Sequence, residues 1–209
     1  SYLDKIKSKI HKKNIQVSFV PIEKLNRLTK NNHQGIVAMI SPVSTLDIND
    51  LEIKLKTNES MLILVLDGIT DTKNFGAIIR SAECFDVDLI IIPKNGSSPV
   101  NGETIKSSSG AVFNVPICKV NHVKDAIFLL QEYDISLIGT SDMGSLSLYE
   151  YKFHSKTALI IGSEGKGVSK SVLKLCDEVV NIKMKGKVSS LNVSVAAGIF
   201  LSEFRRQIN

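Results

Sequence analysis

The chain is poor in the residues that build metal centres and covalent scaffolds. Its three cysteines, Cys84, Cys118 and Cys176, are odd in number, widely separated and form no CxxC pair. That argues against a disulfide framework or a zinc site and favours a reducing, cytoplasmic compartment. His11, His33, His122 and His154 show no metal-ligand spacing either, so no metal is expected. No apolar run approaches membrane-spanning length, since Met61–Leu66 and Leu89–Ile92 are only strand-sized; no membrane contact is expected. The first residues, Ser-Tyr-Leu-Asp-Lys, lack both a signal-peptide core and an initiator methionine. The start therefore reads as the cut end of a longer protein. Arginine is scarce as well, with four against twenty-two lysines.

What remains is enough for one ordinary domain and a small appendage: 209 residues, 43% apolar and 22% charged. The net charge of +5 is unevenly placed. Residues 1–30 hold eight basic side chains against Asp4 and Glu23, a balance of +6, while the other 179 residues hold 18 basic and 19 acidic groups, a balance of −1. A basic segment on an otherwise neutral chain is an electrostatic footprint for a polyanion, which favours nucleic acid over a merely solvated helix face.

Leu3, Ile6 and Ile10 keep helical spacing, so the first dozen residues predict a basic amphipathic helix. A strand is expected at residues 16–20, a helix opened by Pro21 over 22–29, a turn at 31–35 and a strand at 36–40. Residues 41–59 read as a connector. From Met61 the pattern turns to apolar strands, at 61–66, 88–92, 111–117, 135–139, 158–162 and 179–183, separated mostly by helices at 74–85, 123–133, 168–176 and 192–207. Continuous apolar strands with helical crossovers imply an α/β domain, a parallel sheet with helices on both faces. Ligands of such sheets lie beyond the carboxyl ends of the strands, which directs attention to the loops after Leu66, Gly139, Gly162 and Lys183.

Three stretches could carry chemistry. In Asn74-Phe-Gly-Ala-Ile-Ile-Arg80, Arg80 stands on a run of small and apolar residues. A lysine-biased composition that places an arginine here suggests a need for the planar fork that binds phosphate or carboxylate bidentately; an arginine snorkelling from a buried helix is the alternative. The loop Ile160-Ile-Gly-Ser-Glu-Gly-Lys-Gly-Val168 lacks both GxGxxG order and a P-loop ending. Glu164 would put a negative charge where a phosphate should meet amide donors. The loop suits a ligand neutral or positive at the contact, such as the sulfonium of S-adenosylmethionine, unless its glycines are purely structural. In the stretch 181–198, Lys183, Lys185 and Lys187 alternate and could meet a phosphate backbone from an extended segment. Ser189, Ser190 and Asn192 cluster at a helix start, and one capping role accounts for one of them.

Together NFGAIIR, LIIGSEGKGVS and NIKMKGKVSSLNVSVAAGIF resemble, in order, the three motifs of the SpoU (TrmH) family of RNA 2′-O-ribose methyltransferases of the SPOUT superfamily. The resemblance covers roughly residues 60–209 and is nearest the bacterial branch acting on a 23S rRNA guanosine. Asn32-His-Gln-Gly-Ile-Val37 and the α-β-α-β piece before it resemble the end of an L30e-like substrate-binding domain. The implied organisation is residues 1–41 as the C-terminal part of that α+β domain, 42–59 as linker and 60–209 as catalytic domain. The resemblance also implies a C-terminal trefoil knot, a homodimer with each active site near the interface, S-adenosyl-L-methionine as cofactor and RNA as partner. By motif position it implies Asn74, Arg80, Glu164, Ser190 and Asn192 as the catalytic set. Gly139, Thr140, Gly162, Ile182 and Leu191 are implied to hold the cofactor, largely through backbone groups. A guanidinium with a pKa above about 12 is a poor base. Arg80 is therefore expected to orient the 2′-oxygen and stabilise its developing charge. Asn74, Ser190 and Asn192 would position Arg80 and the ribose, and Glu164 would anchor the loops. Open alternatives are a tRNA 2′-O-methyltransferase, an rRNA adenosine resistance methylase and a non-catalytic RNA-binding or ribosome-assembly factor of the same fold. A nucleotide-dependent dehydrogenase is disfavoured by the GSEGKG order and Glu164.

Overall fold

A computed structural model describes residues 6, 8–10, 12–13, 15–30 and 32–208. The chain divides into two compact units, Ser1–Ser41 and Pro42–Asn209.

In the first unit, residues 6, 8–10 and 12 are helical, and the expected helix start at Leu3 lies outside the described residues. Helix α1 (Ile22–Leu28) follows Pro21, which occupies the cap position with φ −58°, as a residue whose ring presets the helical φ should. Residues 32–35 turn back, with Gln34 and Gly35 at positive φ and Ile36 N donating to His33 O at 2.9 Å. Among the described residues, the strands expected at 16–20 and 36–40 are absent. Residues 16–20 mix apolar with polar side chains and 36–40 are apolar throughout, but a strand exists only through ladder bonds to a neighbour, and neither is paired there. Phe19 and Met39 stand 88% exposed.

The second unit is built on seven strands: β1 (Met61–Asp67), β2 (Leu89–Pro93), β3 (Ile117–Val120), β4 (Ser136–Thr140), β5 (Leu146–Ser147), β6 (Lys156–Gly162) and β7 (Glu178–Asn181). They form one sheet in the order β3-β2-β1-β6-β4-β7-β5, every pair parallel. Alternation explains why the central strands are apolar throughout. Leu62, Leu64 and Leu66 of β1 enter one core with Leu159 and Ile161 of β6, while Met61, Ile63 and Val65 enter the other with Ala158 and Ile160. The first core is covered by α3 (Thr72–Cys84), through Phe75, Ile78, Ile79 and Ala82, and by α7 (Val193–Ile208), through Ala197, Phe200, Leu201 and Phe204. The second is covered by α2 (Ile48–Thr57), through Leu51 and Leu55, and by α5 (Val123–Glu132), through Ala126, Ile127 and Leu130. Both sets recur at helical spacing, one stripe of each helix facing the sheet.

Four readings change in this unit. Helix α2 occupies part of the expected connector. It is fixed by a capping box in which Asp47 accepts from Asn49 N and Asp50 N while Asp50 accepts from Asp47 N. Residues 111–117 are not one strand. Gly110 turns at φ 87°, Ala111–Phe113 form a 3₁₀ turn, and β3 starts only at Ile117. A further helix, α4 (Gly102–Ser107), is capped by Asn101. The expected 168–176 helix shortens to α6 (Lys170–Leu173).

The placement of β7 shapes the carboxyl end of the sheet. This strand lies between β4 and β5, whose connection is only residues 141–145. A Cβ on Gly144 would come within 2.7 Å of Val179 O and 3.0 Å of Asn181 N, so this connection crosses directly against β7. No helix among the described residues is long and apolar enough to cross a membrane.

Candidate active site

The strand order reverses at β1 and β6, and the carboxyl ends of these strands and of β4 and β7 carry the loops singled out by the sequence. The loop after β6 is held tightly. Gly167 N donates to Ser163 O at 2.8 Å, and Ser169 N donates to Asp67 Oδ2 at the end of β1 at 2.9 Å. Gly162 is required because a Cβ there would lie 1.9 Å from Gly167 C. Gly165 and Gly167 are required because both have positive φ, 82° and 65°. The GxxGxG pattern is thus a compact turn that projects Glu164 outward.

Asn192 joins this loop to two others. Its Nδ2 donates to Glu164 Oε1 at 2.7 Å and to Asn74 Oδ1 at 3.0 Å. Its Oδ1 accepts from Ser194 N at 2.9 Å and Ser194 Oγ at 2.6 Å, capping α7. Asn74 is set by the start of α3, where Asp71 accepts its backbone N–H at 2.7 Å. One amide therefore ties together residues 118 and 28 positions apart in sequence, one from each of the three stretches. Helices α3 and α7 run side by side beyond this point, since Gly198 faces Ser81 as Asn192 faces Asn74. Gly76 permits a much closer approach of α4, a Cβ there meeting Ser107 Oγ at 1.9 Å.

Arg80 does not join the bridge. It is exposed on α3, about 9 Å of helical rise beyond Asn74, and makes no hydrogen bond or ion pair among the described residues. The other two arginines of this unit are engaged. Arg205 Nε donates to Phe85 O at the end of α3, and Arg206 forks onto Glu203 at 2.8 and 2.6 Å. Arg80 thus presents its guanidinium outward from a largely buried helix, as a ligand-binding or a snorkelling arginine would. Ser190 is exposed and likewise makes no hydrogen bond among the described residues; the cap belongs to Asn192.

The side chains of the residues expected to hold a cofactor are largely committed to the fold. Gly139 is buried, with room for no Cβ, which would sit 2.9 Å from Cys176 Sγ and Leu173 Cδ2. Thr140 Oγ1 donates to Ile160 O at 3.0 Å. Ile182 packs partly buried on the first core, and Leu191 is exposed. Contact with a ligand would fall to their backbone groups and to the apolar faces of Leu191 and Met184. Of the alternating lysines, Lys183 is drawn to Glu150 at 3.4 Å, and the segment from residue 182 to 192 is irregular rather than extended. Sequence reasoning missed Asn181, whose Nδ2 donates to Gly144 O at 2.5 Å. Its signal was an asparagine ending the otherwise apolar run Val179-Val-Asn181. The thiols of buried Cys118 and half-buried Cys176 are each pushed up to about 12, first by burial and then by neighbouring carboxylates, so neither is a nucleophile.

A parallel α/β sheet with a polar cluster and glycine-tight loops at the carboxyl ends of its central strands defines the place where such folds bind a ligand. Likeness to known proteins makes the class specific. Residues 61–202 match the model of the SpoU rRNA methylase family, and residues 1–46 match that of the RNA 2′-O ribose methyltransferase substrate-binding domain. The 23S rRNA (guanosine-2′-O-)-methyltransferase RlmB of Vibrio parahaemolyticus is 39% identical over 199 residues, covering 92% of this chain and 81% of that protein. The SpoU methyltransferase AviRb from Streptomyces viridochromogenes, solved in complex with AdoMet, superposes with a TM-score of 0.69 at 30% identity, over 78% of this chain and 65% of its own. An AdoMet-bound rRNA methyltransferase from Sinorhizobium meliloti gives 0.68 at 29% identity, over 73% and 58%. The chain belongs to the SpoU rRNA methylase family.

Proposed function

We propose that this protein transfers a methyl group from S-adenosyl-L-methionine to a ribose 2′-hydroxyl of RNA, at a guanosine of 23S rRNA, and does so in the cytoplasm. The observation that carries the reading is the Asn192 bridge to Asn74 and Glu164, which gathers all three motif stretches at one exposed point. The residues of these loops fit the donor: Leu191 offers a part-exposed apolar side chain, Glu164 a carboxylate, and the glycine loop after β6 is closely packed rather than an open phosphate cradle.

When bound, the donor supplies a methyl group on a positively charged sulfur. Everything else falls to the chain. Gly139, Thr140, Gly162, Ile182 and Leu191 hold the donor through backbone groups and apolar contact. Holding donor and hydroxyl in line can contribute about 7–11 kcal/mol. Asn192 fixes the distance between Asn74 and Glu164, and Ser190, exposed beside them, positions the ribose. Arg80, which has no side-chain partner among the described residues, orients the 2′-oxygen and its neighbouring phosphate and stabilises charge developing on that oxygen.

Three finer features belong to the same proposal. Residues 1–41 are the C-terminal part of an L30e-like RNA-binding domain, supported by the basic charge of residues 1–30 and the match to a substrate-binding model. Residues 42–59 lead from it into the catalytic domain, 60–209, and lay α2 on that domain's sheet. The C-terminal segment is threaded as a trefoil knot; what supports this is β7 inserted between β4 and β5 beneath a five-residue crossing. The protein is a homodimer, supported by a groove on α7 lined by Tyr149, Val195, Gly198, Ile199 and Ser202, of which Tyr149 and Val195 are half exposed or more.

The test is methyl transfer from labelled donor to 23S rRNA taken from cells lacking this gene, with the modified position mapped. One 2′-O-methylguanosine is expected. Methylation of tRNA or of an adenosine ribose would move the activity to the alternative substrates, and donor binding without transfer would make the protein a non-catalytic RNA binder.

A further inference from the structure

Helix α3 sets one carboxylate within reach of Arg80. Of the residues one turn away, Gly76, Ala77, Glu83 and Cys84, only Glu83 is acidic, and side chains three apart on a helix stand about 5–6 Å apart at Cβ. An Arg–Glu pair three residues apart does close elsewhere in this unit, where Arg206 forks onto Glu203 at 2.8 and 2.6 Å. Arg80 and Glu83 are both exposed, yet they form no such pair. Glu83 Oε1 instead accepts from Asn114 Nδ2 at 3.0 Å, across 31 positions of sequence. A carboxylate only accepts, so the Asn114 amide must turn its NH2 toward it. Asn114 is delivered there by the turn at Gly110 and the 3₁₀ turn Ala111–Phe113, whose Ala111 and Val112 are buried in the first core beside α3.

We propose that Asn114 is a positioning residue for Arg80: by holding Glu83 it keeps that carboxylate off the guanidinium and leaves the fork free for the 2′-oxygen and phosphate of RNA. This rests on the function proposed above. A carboxylate on the fork would occupy the donors that the RNA oxygens need, and would cancel charge that is to meet the developing oxyanion. Here the arginine precedes the glutamate, the weaker order for a helix pair, and both side chains are exposed. The competing ion pair is therefore weak, and one hydrogen bond from an amide is enough to decide which partner Glu83 keeps.

The test is methyl transfer to 23S rRNA at saturating donor, by the full chain carrying Asn114→Ala, Glu83→Gln or both. Asn114→Ala releases Glu83 and should lower kcat/KM for RNA by about two- to fivefold, the scale of an exposed ion pair, with affinity for S-adenosylhomocysteine unchanged. Glu83→Gln, which cannot neutralise Arg80, should transfer at the wild-type rate or faster, and the double variant should regain that rate. Asn114 is exposed and its φ of −103° suits any residue, so alanine should fold there. Asn114→Ser, too short to reach Glu83, gives the same comparison should it not. A loss in Asn114→Ala that persists in the double variant would mean that the amide only braces the 3₁₀ turn, and overturns the proposal. Wild-type transfer by Asn114→Ala overturns it too, as does a slower Glu83→Gln, because the carboxylate would then be wanted at the site. A wild type that transfers no methyl group to RNA overturns the function itself and the role of Asn114 with it.

Discussion

At the amino end of the sheet, Asp88 Oδ2 accepts Leu62 N at 2.8 Å and Asp177 Oδ2 accepts Leu137 N at 2.7 Å, each carboxylate closing the first free amide of a strand. At the carboxyl end, the polar groups are arranged differently. Asn192 divides its amide between capping α7 and bridging Asn74 and Glu164, while Arg80 and Ser190 keep their hydrogen-bonding capacity outward. Both ends use short polar side chains beside a shared apolar core. The difference is whether those groups are consumed by the backbone or left for a ligand, and it separates stability from chemistry along the length of one strand.

Substitution at the two ends should therefore have opposite signatures. The largest effect is expected at Arg80. Arg80→Ala should lower the rate of methyl transfer by roughly 10²–10³-fold, the range for removing a group that stabilises developing oxyanion charge, with little change in melting temperature. Arg80→Lys should recover little of this loss, because a point charge lacks the planar fork; recovery to nearly the full rate would remove the argument for that fork. Next comes Gly162→Ala, whose Cβ would fall 1.9 Å from the Gly167 backbone. Forcing that turn apart should cost about 1–3 kcal/mol or more and weaken donor binding measured by calorimetry.

Smaller effects belong to groups the fold has consumed. Buried Glu203 is held down to about 2 by the Arg206 fork, against its own burial and with help from Gln207. Because the folded value lies below the ordinary carboxylate range, its contribution is complete above about pH 5 and is lost as pH falls toward 2. Glu203→Gln should flatten that part of the acid-unfolding curve, and an unchanged curve would mean the pair contributes nothing. Gln207 extends the same network, accepting Phe153 N and donating to Tyr151 O, both at 3.0 Å. The smallest change is Asp88→Ala, which leaves the Leu62 amide without its acceptor. It should cost roughly 1–2 kcal/mol in denaturant titration while leaving methyl transfer unchanged; a loss of activity instead would blur the contrast between the two ends.

Much of the catalytic unit was legible because burial on both faces writes a strand as an unbroken apolar run. Met61–Leu66 and Ala158–Gly162 were visible for that reason, and Phe75, Ile78, Ile79 and Ala82 marked α3 by their period. Helix α2 was hidden because only Leu51 and Leu55 of its ten residues are buried among charges. Residues 111–117 misled because Val112 and Val115 are as apolar as a strand, although Gly110 turns the chain into a 3₁₀ geometry. The segments at 16–20 and 36–40 carried a strand's apolar, β-branched composition without a strand's neighbour. At the site, motif order pointed to the residues but not to their contacts. That Asn192 serves as both cap and bridge depends on pairings across 118 and 28 positions, which no local spacing encodes. The contact of Asn181 was hidden for the same reason: the bond to Gly144 arises only because β7 inserts between β4 and β5.

Asn192→Ala, measured for donor affinity and for methyl transfer to 23S rRNA in parallel, tests the central claim most directly. If the exposed amide bridge positions the groups that steer the 2′-oxygen, transfer should fall by about 10²-fold, as for other misplaced reacting groups. Donor affinity should stay near wild type, with a stability loss of roughly 1 kcal/mol from the missing cap. Transfer at the wild-type rate in a variant that has lost only that stability would show that the bridge caps a helix and nothing more.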